Sequence, residues 1–103
     1  MYTVLQTQHF RSWLADLRDN KGKARILARI RSAELGNLGD VKSIGEGVSE
    51  MRIFVGPGYR VYFTRLGRQI VLLLAGGDKE SQKRDIRRAQ ALAQQAAADF
   101  AEG

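Results

Sequence analysis

Residues 50–75 carry the clearest structural signal in the chain and read EMRIFVGPGYRVYFTRLGRQIVLLLA. Two alternating runs, Glu50–Val55 and Tyr59–Arg65, are separated by Gly56-Pro57-Gly58, which is the pattern of a β-hairpin. A second turn leads into residues 69–75, whose apolar side chains point to both faces and indicate a central strand covered on one side by helices. The sequence therefore predicts three strands of an antiparallel meander.

The residues before this meander predict two helices. In each of them, apolar side chains recur three and four positions apart, which places them on one buried face. The residues concerned are Phe10, Trp13, Leu14 and Leu17 in the first helix and Ile26, Leu27, Ile30 and Ala33 in the second. Residues 19–22 form a short turn in which Asn20 is a candidate cap, so the two helices should form an antiparallel hairpin.

The remaining elements complete the predicted fold. Residues 2–6 alternate weakly and precede Thr7, a candidate helix cap, so they predict a short first strand. Another strand is predicted at 41–44, and an Ala-rich helix follows a loop at 76–79. The fold class is therefore α+β: a small antiparallel β-sheet with an N-terminal helical hairpin and a C-terminal helix, in a single domain of residues 1–103. We expect the helices to cover one face of the sheet and to leave the other face open to a ligand.

The composition restricts the chemistry. Seventeen Lys and Arg residues against eleven Asp and Glu residues give a net charge of +6, which favours a polyanionic partner or an acidic protein. The chain has no cysteine, which excludes disulfides, thiolate metal sites and cysteine nucleophiles. His9 is the only histidine, so a pair of histidines for acid and base catalysis is also excluded. With no export signal and no run of about 20 apolar residues, we expect a cytoplasmic protein that does not enter a membrane.

Strand alternation predicts which side chains share the open face. Arg52 on one strand of the hairpin and Arg60 and Tyr62 on the other should be neighbours. Lys79 should reach them from the loop after the last strand. Cations beside an aromatic ring suit a phosphodiester, because guanidinium groups bind phosphate oxygens and the ring stacks on a base. In the alternative, the arginines pair with Glu50 and neighbouring acids across the hairpin.

Basic residues elsewhere in the chain are further candidates for contact with RNA. Most of them belong to an acid-free basic run between residues 21 and 31, and the others lie in the predicted strands. The candidates are Lys21, Lys23, Arg25, Arg29, Lys42 and Arg65. For the basic run, the alternative is a solvated helix face.

Three blocks of sequence carry a resemblance to a known family. They read GVSEMRI at 47–53, GPGYRVYF at 56–63 and LLLAGGDK at 72–79, with Gln82 and Asp85-Ile86 following. In this order they resemble the toxins of bacterial type II toxin–antitoxin systems in the RelE/ParE superfamily, in its HigB-like branch of addiction module killer proteins. The resemblance extends from Tyr2 to about Ala97.

The resemblance implies a ribosome-dependent endoribonuclease that cleaves messenger RNA and inhibits translation without a metal ion or another cofactor. Arg52, Arg60 and Lys79 match basic positions of the family and would stabilise charge on the phosphate. Cleavage also needs a base for the 2′-hydroxyl proton, for which the candidate among these residues is Glu50, with Tyr62 as the second choice. The implied partners are the ribosome with its messenger RNA and a cognate helix-turn-helix antitoxin, through which alone the protein would meet DNA.

The chain departs from the family at two positions. Asp85 stands where some members have a tyrosine near the start of the last helix, and Glu50 stands where some have a second lysine on the third strand. Two other functions remain open. One is a ParE-like inhibitor of DNA gyrase, which shares the fold, and the other is a nonenzymatic basic module that binds RNA.

Overall fold

The structure is a computed structural model that describes residues 1–102. The described residues form five strands and three helices, with two of the helices between the first and second strands. These elements are β1 (Thr3–Gln6), α1 (Gln8–Asp16), α2 (Asn20–Glu34), β2 (Val41–Gly45), β3 (Val48–Ile53), β4 (Tyr59–Leu66), β5 (Ile70–Gly77) and α3 (Gln82–Glu102). The predicted α+β class and the predicted order of elements are confirmed.

One sheet contains these strands in the order β1-β5-β4-β3-β2. From β2 to β5 each strand pairs antiparallel with the next, as the meander predicted. β1 differs, because it pairs parallel with β5, from Thr3 opposite Ile70 to Gln6 opposite Leu73. After β1 the chain crosses through α1 and α2 to β2, at the opposite edge of the sheet.

α1 and α2 pack on one face of the sheet and form the larger core. Their buried side chains include Phe10, Ile26 and Ile30. The strand residues beneath them alternate along β3, β4 and β5, and they are Met51, Ile53, Tyr59, Val61, Phe63, Val71 and Leu73. Leu27, which was predicted to lie in this core, is 49% exposed, because Ile26 and Ile30 are the residues of α2 that face the sheet.

α3 covers the other face, so the expectation that this face is open is wrong. Ala89 and Ala93 of α3 are small enough to bring the helix close to the strands, and both are buried. The apolar run of β5 is two-sided for this reason. Leu73 faces α1 and α2, whereas Leu72 and Leu74 belong to the core beneath α3.

A β-bulge interrupts the pairing of β4 with β5. Tyr62 is opposite Ala75 and Phe63 is opposite Leu73, so Leu74 is the extra residue on β5. As a result, two consecutive residues of β5, Leu74 and Ala75, belong to the core beneath α3.

Asp19 caps α2, in place of the predicted Asn20, which is the first residue of the helix. Its Oδ1 accepts a hydrogen bond from the backbone N–H of Gly22 at 3.0 Å, and its Oδ2 accepts one from the Tyr59 hydroxyl at 2.7 Å. These hydrogen bonds lower the pKa of Asp19. Burial, and next the hydrogen bond to Asp19, raise the pKa of Tyr59 to about 12. Asp19 thus connects the start of α2 to the start of β4.

We expect Asp19→Ala to lower the melting temperature at pH 7, because it removes both hydrogen bonds. Asp19→Asn is the matched control, since asparagine is an equally good cap. The lowered pKa means that the stabilisation is present above the ordinary value of 3.8 and is lost as the pH falls through the folded-state pKa. Thermal melts of Asp19→Ala and the parent should therefore converge as the pH is lowered, and a gap that stays constant would contradict this account.

Candidate functional site

The predicted neighbours lie together where β3, β4 and β5 pass the start of α3. In the antiparallel register, Arg52 is opposite Arg60 and Glu50 is opposite Tyr62. On the other side of β4, Arg60 is opposite Gly77 at the end of β5. The register therefore confirms that these side chains are neighbours.

Each of these two arginines is held by a carboxylate. Arg60 Nε lies 3.5 Å from Glu50 Oε2, and Arg52 Nη2 lies 3.1 Å from Asp40 Oδ1. Like charges directly opposite each other on a sheet repel, and the carboxylates offset that repulsion. Arg60 is the less accessible, with 15% of its side chain exposed against 34% for Arg52. The ion pairs that were the alternative explanation for these arginines are therefore present, and they hold both guanidinium groups in place.

Glu50 is buried beneath the start of α3, with 3% of its surface exposed. Its Oε2 also accepts a hydrogen bond from Gln82 Nε2 of α3 at 3.2 Å. A buried carboxylate is stable only when it is paired, so Arg60 and Gln82 account for its position. In this position Glu50 orients Arg60, and its role as general base stays a prediction.

The Tyr62 ring is fully buried against α3, so it is not the exposed stacking platform that strand alternation predicted. Its hydroxyl has no hydrogen-bond partner among the described residues. Burial, and next the charge of Glu50, raise the pKa of Tyr62. The phenol is therefore protonated at neutral pH, which argues against Tyr62 as the base.

Phe54 provides an exposed aromatic ring instead. It follows the last residue of β3, is 78% exposed, and has its ring centroid 5.9 Å from Arg52 Cζ. With Arg52, Arg60 and Lys79 it lines a cleft of about 290 Å³, bordered by the Gly56-Pro57-Gly58 turn. The structure thus brings the three predicted cations to one cleft, which we call the cationic cleft. Alternation places Phe54 on the Arg52 side of β3, but its exposure arises because it lies beyond the paired part of the strand.

The start of α3 contributes a polar cluster in which Ser81 was not singled out by the sequence, whereas Asp78 and Asp85 belong to the stretches that carry the resemblance. Asp78 Oδ1 accepts hydrogen bonds from the backbone N–H groups of Glu80 and Ser81 at 3.0 and 3.1 Å. Ser81 Oγ donates to Asp85 Oδ2 at 2.5 Å, and Asp85 is buried. The spacing of Asp78 and Ser81 just before a helix is the signal that indicates this turn.

Two glycines at the end of β5 let both helices approach the sheet. A Cβ atom at Gly77 would collide with the Asp85 carboxylate, and one at Gly76 would collide with the Trp13 ring. The sequence predicted a loop here, whereas both glycines belong to β5. A side chain at either position would push α3 or α1 away from the strand.

Arg29, one of the predicted RNA contacts, has a structural role in the fold, and its contact with RNA stays a prediction. Its guanidinium donates hydrogen bonds to the backbone oxygens of Arg52, Leu38 and Asp40 at 2.6, 3.0 and 3.3 Å. Burial lowers the pKa of Arg29. These hydrogen bonds fix the segment between α2 and β2 against β3.

The remaining predicted RNA contacts lie outside the cationic cleft. Lys21 and Arg25 border a separate groove on α2, and the Arg65 guanidinium lies 5.3 Å from the centroid of the Tyr2 ring. Contact with RNA stays a prediction for Lys21, Lys23, Arg25, Lys42 and Arg65.

Two kinds of feature are absent from the part of the chain that the structure describes. It has no group of three or more histidine, aspartate or glutamate residues arranged to hold a metal ion. It also has no helix that combines the length and the apolar character needed to cross a bilayer. The positive charge of the cationic cleft comes from Arg52, Arg60 and Lys79.

A comparison with known proteins relates the chain to a bacterial protein. No protein-family model matches it. A protein of Haemophilus influenzae (strain Rd) is 47% identical to it over 92 residues, which are 89% of this chain and 93% of that protein. The two proteins belong to one family. The relative carries the description "Uncharacterized protein", so membership of this family brings no activity with it.

We expect Tyr62→Phe to leave the free energy of unfolding unchanged or to raise it. The hydroxyl has no partner to lose, and burying an unpaired polar group costs roughly 1–3 kcal/mol. Tyr59→Phe is the matched variant, because it loses the 2.7 Å hydrogen bond to Asp19 and should destabilise the fold. Urea unfolding of both variants measures the difference. Strong destabilisation by Tyr62→Phe would mean that its hydroxyl is paired in solution.

Proposed function

We propose that the protein is the toxin of a bacterial type II toxin–antitoxin system and that it acts as a ribosome-dependent endoribonuclease on messenger RNA. The observation that carries the proposal is the cationic cleft, in which Arg52, Arg60 and Lys79 meet beside the exposed ring of Phe54. Such a cleft suits a phosphodiester and an adjoining base. The resemblance to RelE/ParE toxins of the HigB-like branch supplies the reaction.

In the proposed reaction, the 2′-hydroxyl of one nucleotide attacks the adjacent phosphorus, and the bond to the 5′-oxygen of the next nucleotide breaks. The products are a 2′,3′-cyclic phosphate and a 5′-hydroxyl, so the proton lost by the 2′-oxygen is balanced by one gained by the 5′-oxygen. Arg52 and Arg60 stabilise the charge that builds on the phosphate oxygens. Lys79 stabilises or protonates the leaving oxygen, and Phe54 stacks on a base.

The ion pairs of the cleft support this assignment. Arg60 contacts Glu50 through Nε and donates from Nη1 to the Gly58 oxygen at 3.3 Å, so its orientation is set within the protein. A charge that is already oriented needs no rearrangement when the transition state forms. Glu50 does not line the cationic cleft and reaches it only through Arg60, so its proposed role as acceptor of the 2′-hydroxyl proton rests on the chemistry of its carboxylate alone.

The size of the cleft supports a requirement for the ribosome. A volume of about 290 Å³ lies at the lower end of ligand pockets, so the cleft encloses only a short piece of an RNA strand. A ribosome that holds the messenger RNA would supply the remaining orientation of the 2′-hydroxyl toward the phosphorus. Because ribosomes are cytoplasmic, we propose the cytoplasm as the place of action.

Lys79→Ala is the sharpest test of the proposed chemistry, because Lys79 is exposed. We expect the variant to match the parent in stability within about 0.5 kcal/mol. It should cleave messenger RNA on programmed ribosomes about a hundredfold to a thousandfold more slowly. Arg60→Ala is less suitable, since it would leave the buried Glu50 without its cation.

Arg68→Ala is the matched control for Lys79→Ala. Arg68 is an exposed cation in the turn between β4 and β5, at the opposite end of these strands, and its loss should leave cleavage unchanged. Equal cleavage rates for Lys79→Ala and the parent would show that Lys79 takes no part in the reaction. A parent protein that arrests DNA gyrase, or that binds RNA and does not cleave it on ribosomes, would refute the proposed activity.

The proposed partner is a helix-turn-helix antitoxin that docks on the helices of residues 8–35 or on α3. Leu27 and Leu35 of the first region are 49% and 62% exposed and offer apolar contacts beside basic side chains. We expect the protein expressed alone to stop bacterial growth, and Lys79→Ala expressed at the same level to be harmless. Coexpression of the antitoxin should restore growth and yield a complex, through which alone the toxin would reach DNA. Normal growth with abundant folded parent protein would contradict the assignment.

A further inference from the structure

A second and larger cleft lies between α1 and α3, on the other side of the loop that carries Lys79. Its volume of about 590 Å³ falls within the roughly 300–1,000 Å³ that is typical of ligand pockets. Ser12 and Trp13 of α1 form one wall, and Arg84 and Arg88 of α3 form the other. The residues that we place in the cleavage reaction do not line this α1–α3 cleft.

The floor of the α1–α3 cleft is the end of β5. β5 pairs with β1 only as far as Leu73, and it continues to Gly77. In the part of the chain that is described, no strand lies beside Gly76 and Gly77 on this side, and both residues line the cleft. No strand pairs with this end of β5, but both glycines are buried, beneath the Trp13 ring at Gly76 and beneath Ser81 and Asp85 at Gly77.

Trp13 gives the cleft an aromatic wall. Its ring packs closely on the backbone of Gly76, and it lies 5.8 Å from the Phe10 ring and 6.2 Å from the Tyr59 ring, measured between centroids. These contacts fix the plane of the indole, while part of the residue stays exposed. An aromatic face in a fixed position suits the stacking of a planar heterocycle.

Two arginines give the mouth of the cleft a positive charge. Arg84 and Arg88 are four residues apart, so they lie on the same side of α3. The helix dipole opposes a cation in the first turn of α3, so helix stability does not explain the position of Arg84. The Arg84 side chain is 76% exposed even though it lies 3.6 Å from Asp85.

His9 also lines the cleft. Burial, and next the charge of Arg88, lower the pKa of His9, which is therefore neutral at pH 7.

We propose that the α1–α3 cleft binds the nucleotide next to the site of cleavage, with its base on Trp13 and its phosphate on Arg84 and Arg88. This inference rests on the proposed function, which makes RNA the ligand. Asp78 lines the α1–α3 cleft and Lys79 lines the cationic cleft, so the two clefts adjoin at one loop. A single strand that passes over this loop fills both, and the second cleft selects the base beside the cut.

The charges inside the cleft favour a base over an acidic protein segment. The carboxylates of Asp16, Asp78 and Asp85 line it together with the arginines. These carboxylates accept hydrogen bonds from the amino and ring N–H groups of a base, whereas they repel the side chains of an acidic peptide. A ligand that carries both N–H donors and a phosphate matches both sets of charges.

Trp13 is the only tryptophan of the chain, so its fluorescence reports directly on the cleft. The four nucleoside 5′-monophosphates are titrated separately into the purified protein, with inorganic phosphate as the control ligand. We expect a saturable change in Trp13 emission, with one base bound more tightly than the others and no comparable change with phosphate. Arg88→Ala should weaken binding by about tenfold or more, because it removes a charged hydrogen bond to the phosphate.

Two further variants locate the binding. Ser12→Phe fills the cleft from an exposed position on α1 and should abolish the fluorescence change, whereas Arg68→Ala should leave it unchanged. The proposal is overturned if no nucleotide changes the emission, if Arg88→Ala and Ser12→Phe bind nucleotides as the parent does, or if an acidic peptide binds the cleft more tightly. These titrations need no ribosome. If the protein binds nucleotides but does not cleave RNA on ribosomes, the proposed binding site therefore stands and the proposed endoribonuclease activity is refuted.

Discussion

The pairing of Glu50 with Arg60 is the interaction on which the arrangement of the site depends. Glu50 lies inside the fold, and its charge is satisfied by Arg60 from the neighbouring strand and by Gln82 from α3. One carboxylate therefore fixes the relative positions of β3, β4 and α3. It also holds the Arg60 guanidinium at the cationic cleft before a ligand arrives. The stability of the fold and the charge of the site thus share one cause.

The site could be predicted from the sequence as far as it depends on strand register. The turn at Gly56-Pro57-Gly58 sets β3 against β4, and alternation then places Arg52 opposite Arg60 without further information. The exposure of the aromatic residues could not be predicted in this way. Strand position gives only the face on which Tyr62 or Phe54 lies, whereas exposure depends on where α3 crosses that face and where the paired strand ends.

The path of α3 itself depends on contacts that no local pattern encodes. An alanine-rich helix and a pair of glycines in a strand are each ordinary, and their meaning appears only when Ala89 and Gly77 are seen to bring the same two elements together. The available sign was the apolar run of β5, since a strand that is apolar on both faces needs cover on both. The apolar run of β5 was therefore stronger evidence for a second covering helix than the expectation of an open face was against it.

The parallel pairing of β1 with β5 determines when the molecule can be completed. The Thr7 hydroxyl at the end of β1 donates to the Leu74 oxygen across 67 residues of sequence. Synthesis begins at the N-terminus, so β1 has no partner until β5 has emerged, whereas the hairpin of β3 and β4 closes over a short loop and can form earlier. α1 follows β1 directly and is placed with it. Until β5 has emerged, a chain that is still being made therefore lacks the wall that Trp13 provides.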